Sequence, residues 1–403
     1  MTDLQASPRT TRARTAVAVA FVVNGLLFAS FISRTPALRD TLGLSSAQLG
    51  LLLLCVSIGA VAGLPLSGPI VQRLGASRAV LAGSVSSGLG LVGMGIGLLT
   101  SSVPLVAPSM VLVGLGMGVW DVAMNVEGAD VERELNRSLM PRLHAGFSIG
   151  TVTGAGVGAL CAALGVPLAF QVLAVGVLAP ISMVLTVPHF LPGHLTDTSS
   201  DDYPRASALT AWREPRTLAV GLMVLGFAFT EGSANDWMAV AMVDGYGTSE
   251  TVGALAFGIF VTAMTIGRLL GGTLLERFGR VPVLHGTAAV GLAGLLLVLL
   301  GGSAPVAMAG AVLWGMGAAL GFPVGMSAAA DDPARAAVRV SVVSSIGYTA
   351  FLAGPPLIGL LAENVGILGA LFVVVGALAL GLVACGAARP RIPVEPTPAT
   401  TRS

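Results

Sequence analysis

Long apolar runs alternate with short polar interruptions along nearly the whole chain. A membrane-crossing helix needs about 20 mostly apolar residues, and the pattern predicts twelve of them. They lie near 15–34, 47–68, 79–100, 105–127, 143–165 and 168–187, then 217–241, 251–271, 281–301, 304–328, 339–362 and 364–386. Turn-forming stretches such as Gly75-Ala76-Ser77 and Gly301-Gly302-Ser303 separate the runs. The longest polar interruption, 188–216, carries Pro188, Pro192, Gly193, Asp201 and Asp202 and divides the spans six and six. The predicted organisation is a tail at 1–14, a six-helix bundle at 15–187, a linker at 188–216, a second bundle at 217–386 and a tail at 387–403. Arg9, Arg12 and Arg14 before the first span imitate a signal peptide, but that run is long and further spans follow at once, so it reads as uncleaved.

Composition narrows the class further. Of 403 residues, 54% are hydrophobic and only 10% charged, where a soluble domain carries about 25% charged residues. So few charges cannot cover a water-exposed surface. A soluble enzyme, a disordered chain and a nucleic-acid binder with a basic face are excluded. Glycine is abundant, 54 residues, as helices packed closely in lipid require. The three cysteines and four histidines form no metal-ligand or disulfide spacing, and no nucleophile–base constellation is present, so no enzymatic activity, metal or cofactor is expected.

All 21 basic residues are arginine. With the N-terminus placed inside, Arg34 and Arg39 fall on the outer side, Arg268 lies within a span, and the other eighteen fall on the inner side. This bias predicts a multi-pass protein of the bacterial cytoplasmic membrane with both termini cytoplasmic.

The two halves repeat each other. Residues 68–75 read GPIVQRLG and residues 272–279 read GTLLERFG, so Gly68, Arg73 and Gly75 fall on Gly272, Arg277 and Gly279, with Gln72 on Glu276. Farther along, Gly114 and Gly116 match Gly315 and Gly317, and Ala129-Asp130 matches Ala330-Asp331. Two six-helix halves facing the same way form a parallel repeat of the kind found in one large transporter class.

The repeated loop resembles the signature loop of the major facilitator superfamily. With the span count and the central linker, the resemblance covers essentially the whole chain. It implies an all-α polytopic membrane protein with twelve transmembrane helices in two parallel-related six-helix bundles. It also implies an inner gate involving Gly68, Arg73, Gly75, Gly272, Glu276, Arg277 and Gly279. The first copy has Gln72 where the family loop carries an acid. A narrower likeness runs to the fucose–proton symporter branch and to the bacterial inner-membrane proteins called YbjJ. It rests on residues 36–50, on Asp121 and Asn125, and on the stretch from His144 through Ser148 to Gly150. It implies proton coupling at Asp121 and solute contact at His144. The branch's first-span acid is replaced by Ile32, and the nearest intramembrane polar group is Asn24.

A charge inside a span costs at least roughly 2.5–3.5 kcal/mol, so each demands a reason. Asp121 and Glu231 are the candidate proton carriers; Asn125 and Asn235 stand one turn beyond each, on the same helix face. Gly232-Ser233 predicts a broken seventh span, and Asp236 and Trp237 are read as near the outer interface, with Trp237 as an anchor. Arg34 and Arg268 are read as snorkelling side chains near span ends, and Gly354-Pro355-Pro356 as a kink. Glu127–Leu135 reads as a solvated, ion-paired extension of span four. The candidate cavity residues are Asn24, Asn125, His144, Asn235, Phe322 and Tyr348.

The expectation is a monomeric secondary transporter of a small solute, working by alternating access and driven by protons, since no ATP-binding motif is present. Its partners are the solute, protons and the lipid bilayer, with no nucleic acid. Symport of a sugar-like or small polar metabolite is favoured. Export of drug-like or metabolite solutes is the alternative, and a non-transporting sensor a remote one.

Overall fold

In hydrocarbon a chain can satisfy its own backbone hydrogen bonds only by forming helices or a closed barrel, and this chain forms helices. The computed structural model describes residues 7–135, 139–191, 210–332 and 335–390. Most of the linker and the outer parts of both tails lie outside the described residues.

The first half contains α1 (Pro8–Ile32), α2 (Thr35–Leu42), α3 (Ser46–Leu74), α4 (Ala76–Leu99), α5 (Val103–Leu135), α6 (Met140–Ala163) and α7 (Leu168–Thr186). The second contains α8 (Pro215–Tyr246), α9 (Glu250–Phe278), α10 (Arg280–Leu300), α11 (Ala304–Ala318), α12 (Gly321–Ala329), α13 (Ala336–Ala370) and α14 (Phe372–Ala384). Among the described residues there is no strand. Eleven helical segments are long and apolar enough to cross a membrane, and the shorter Phe372–Ala388 completes the twelfth crossing. The chain turns into that crossing at Gly366, whose φ of 70° and ψ of 166° interrupt α13, a few residues later than the sequence predicts. The backbone stays helical through Gly354-Pro355-Pro356.

The fold is all-α, with the twelve crossings in two six-helix bundles, and the repeat is visible in its packing. In the first half α1 packs on α6, and α5 on α3 and α4; in the second α8 packs on α13, and α11 on α9 and α10. Gly75 and Gly279 hold the same backbone conformation at equivalent turns, φ 80° with ψ 160° and 167°, in a region that only glycine enters freely. Close crossings build each bundle. A Cβ on Gly59 would lie 2.0 Å from the Val111 carbonyl oxygen, and one on Gly114 would lie 2.0 Å from that of Val56. Large apolar side chains such as Leu89, Leu164, Leu185 and Val383 point outward, as a lipid-facing surface requires.

The face where α1 begins and α14 ends is here called the tail end, and the opposite face the far end. α5 continues at the tail end through Leu135, as the sequence predicts, but its acids are not simply solvated. Glu127 is buried and accepts a hydrogen bond from the Leu191 amide at 2.6 Å, Glu132 accepts from the amides of Leu139 and Met140, and Glu134 accepts from the Thr10 hydroxyl at 2.6 Å. Only Asp130 with Arg133 forms an ion pair there among the described residues.

In the second half, charged groups at the tail end tie four segments together. Asp331 takes Arg216 at 2.8 Å and Arg280 at 2.6 Å, while Glu214 takes Arg335 at 2.5 Å and Arg339 at 2.7 Å. Burial opposes ionisation of both carboxyls, but the arginine hydrogen bonds and charges outweigh it and hold each below its ordinary value. A group whose folded pKa is lowered adds stability above its unfolded pKa and loses it as pH falls through the folded one. The melting temperature should therefore be flat above about pH 5 and fall on acidification below the ordinary values of 4.5 and 3.8. Thermal unfolding across pH checks this, and the Glu214→Gln/Asp331→Asn double variant should start lower and fall less steeply.

Candidate functional site

The halves meet unevenly. Among the described residues, every hydrogen bond and ion pair that joins them lies toward the far end. Arg39 pairs with Asp244. Arg34 reaches Glu250 at 3.0 Å while also donating to the Val166 carbonyl at 2.8 Å and to Gln171 at 3.1 Å. The Ala47 amide donates to Glu363 at 2.9 Å, and the Thr35 hydroxyl to the Asp236 carbonyl at 3.4 Å. The start of α3 lies so close to α13 that a Cβ on Gly50 would come within 2.4 Å of the Pro355 carbonyl oxygen.

The tail end is different. A Cβ on Gly68, Gly75, Gly272 or Gly279 would meet nothing within 4 Å. Arg73, Glu276 and Arg277 are exposed, and Arg277 lies over the Phe278 ring at 5.2 Å. In this conformation no hydrogen bond or ion pair among the described residues joins the two signature loops to each other.

Between the halves lies a cavity of about 370 Å³. The first half contributes Asn24 and Phe28 from α1, Ser57 from α3, Met117 and Asp121 from α5 and Phe147 from α6; the second contributes Asn235 and Asp236 from α8 and Tyr348 and Phe351 from α13. Asn24 is 2% exposed, and its amide nitrogen has no hydrogen-bond partner. Asp121 has no ionic partner among the described residues. Asn125 does not line the cavity; its amide donates to the Asp121 backbone carbonyl at 2.8 Å and more distantly, at 3.4 Å, to the carboxylate. A larger space of about 860 Å³ continues toward the tail end, with Phe147 bordering both. His144, Arg268, Gly272, Glu276, Arg280 and Phe322 line it. His144 meets Phe21 edge-on at 5.3 Å, and Phe322 stands 6.3 Å from Tyr348.

Several sequence expectations change. α8 runs unbroken through Gly232-Ser233, and Gly232 lets the Phe351 ring approach within 2.9 Å of where a Cβ would sit. The broken span is the tenth, between α11 and α12. Pro323 has no amide hydrogen to give the carbonyl four residues back, and that carbonyl, on Ala319, accepts from Arg268 at 3.3 Å instead. Arg268 does not snorkel; it also pairs with Glu231 at 2.8 Å, so Glu231 is neutralised within its own bundle and does not line the central cavity. Arg34 is likewise buried and bonded. Trp237 is fully buried rather than an interfacial anchor.

Asp236 is the residue whose position the sequence misplaced. The apolar run ends near 241, yet α8 continues to Tyr246. Asp236 therefore lies ten residues from the end, about 15 Å deep at helical rise. The unusual length of a run that carries three polar residues in sequence neighbourhood was the available signal.

A sequence profile of the Major Facilitator Superfamily matches residues 17–331 and 222–402. The chain is similar to an uncharacterised transporter of Sinorhizobium fredii, 32% identical over 86% of this chain and 90% of that one. It is also similar to an uncharacterised MFS-type transporter of Yersinia pestis, 29% identical over 92% and 93%. Among solved structures it shares its fold with the nucleoside transporter NupG, TM-score 0.79 at 14% identity over 93% of this chain and 99% of that one. It shares it also with FucP in the outward conformation, TM-score 0.65 at 15% identity over 94% and 99%. The chain belongs to the Major Facilitator Superfamily and is a multi-pass membrane transporter.

Removing one member of a buried ion pair leaves the other unpaired, whereas removing both can be nearly neutral. Glu231→Gln should accordingly lower the melting temperature by several degrees, and Glu231→Leu/Arg268→Leu should recover most of it. Thermal unfolding of the purified variants checks this.

Proposed function

We propose that this superfamily member is a proton-coupled secondary transporter of a small solute in the bacterial cytoplasmic membrane, with Asp121 carrying the coupling proton. One observation carries the reading: Asp121 is a carboxyl without an ionic partner on the wall of a cavity that both bundles build. Glu231, the other candidate, has Arg268 as its partner. A free carboxyl facing a cavity can load and release a proton as access alternates; a carboxylate held by a guanidinium resists protonation.

The arginine bias supports cytoplasmic termini, which makes the tail end cytoplasmic and this conformation inward-open. Access to the cavity then runs past His144, Phe322 and Arg268. In the opposite state the two signature loops approach and close the inner side, with Arg73, Glu276 and Arg277 the charged members. The central lining is mainly apolar and aromatic, with Asn24, Ser57, Asp121, Asn235, Asp236 and Tyr348 as its polar groups. It supports a compact solute with a few polar groups over one covered in hydroxyls.

Asp121→Asn should abolish uphill, pH-gradient-driven movement, because the amide exchanges no proton, while counterflow of labelled for unlabelled solute persists. Uphill transport at the wild-type rate would refute the proton role. For the inner gate, Arg277→Ala should slow turnover several-fold with little change in solute affinity, since it lies far from the cavity. Comparing transport rate with binding in proteoliposomes checks this.

A further inference from the structure

The central cavity holds two carboxyls, Asp121 on the first half and Asp236 on the second, and among the described residues no arginine or histidine lines it. Two arginines of the bundles, Arg268 and Arg34, are engaged elsewhere. Arg268 is bound to Glu231 and the Ala319 carbonyl, and Arg34 to Glu250, Gln171 and the Val166 carbonyl. Among the described residues neither carboxyl has a cationic partner. A bare carboxylate closed off from water inside a membrane is strongly disfavoured. A proton on Asp121 neutralises one of the two, and during a solute-loaded passage the other needs a counter-charge of its own.

We propose that the solute supplies it: the cavity takes a small organic cation, a protonated amine whose ammonium pairs with Asp236. The inference rests on the transport reading above and names its substrate class. Two further observations fit this occupant. The rings of Phe28, Phe147, Tyr348 and Phe351 line the same space, and aromatic faces attract a desolvated cation. The buried Asn24 amide, unpartnered and on the cavity wall, offers a directed hydrogen-bond donor to a polar group on the solute's body. A volume of about 370 Å³ suits a compact amine, at the small end of ligand pockets of roughly 300–1,000 Å³.

The test is a ligand-dependent melting shift on purified full-length protein at neutral pH, with phenethylamine, its uncharged counterpart phenethyl alcohol, tetraethylammonium and glucose as probes. Phenethylamine should raise the melting temperature saturably, with half-saturation at least tenfold below that of the alcohol. Asp236→Asn should erase this preference. Equal response to amine and alcohol, response to glucose alone, or no saturable response to either cation overturns the proposal. So does a charge preference that survives Asp236→Asn. The comparison on wild-type protein decides the matter even if that variant does not fold. Failure here leaves the proton reading standing, because that depends on uphill transport and counterflow in Asp121→Asn.

Discussion

A charge surrounded by hydrocarbon must find an opposite charge, a set of hydrogen bonds or a water-filled space, and this requirement sorts every ionised group in the bundles. Arg268 finds Glu231 and a carbonyl released by a proline. Arg34 finds Glu250, Gln171 and the Val166 carbonyl. Among the described residues Asp121 and Asp236 find no cation, and both line the cavity between the halves. The groups satisfied within the protein hold the architecture, and those left facing the cavity are available for chemistry. Position in a span alone does not separate the two sets: Glu231 and Asp236 are five residues apart on one helix.

Within each half, helix association follows a different rule. Lipid gives apolar helices no hydrophobic reason to associate, so they hold by close packing. Gly59 and Gly114 bring α3 and α5 into backbone contact, and Gly315 does the same for α11 against α9, where a Cβ would lie 2.2 Å from the Phe260 carbonyl oxygen. The glycines that the repeat pairs, Gly114 and Gly315, thus do the same work in both halves. Bundles built this way can move as rigid units, which alternating access requires.

The elements legible in the sequence were those with a long or repeated signal. The twelve apolar runs mark the crossings, and the shared loop of Gly68–Gly75 and Gly272–Gly279 reappears as matching backbone at Gly75 and Gly279. Asn24, Asp121, Asn235 and Tyr348 do converge on one cavity, whereas His144 and Phe322 line the neighbouring space and Asn125 bonds within its own helix. What stayed hidden depended on partners distant along the chain. Arg268 and Arg34 look like snorkelling residues until Glu231 and Glu250 are placed beside them. Trp237 looks interfacial until the helix proves longer than its apolar run. Glycine misled in the opposite direction: Gly232 suggested a break, but it serves a ring contact, and the actual break follows from Pro323.

The polar contacts joining the halves are few, confined toward one face, and partly reached by solvent, with Glu250 and Asp244 about a third exposed. The exposed carboxylates leave these pairs open to screening by salt. The ionic strength of the medium bathing that face therefore becomes a control variable, biasing how long the carrier dwells in each orientation without touching the cavity itself.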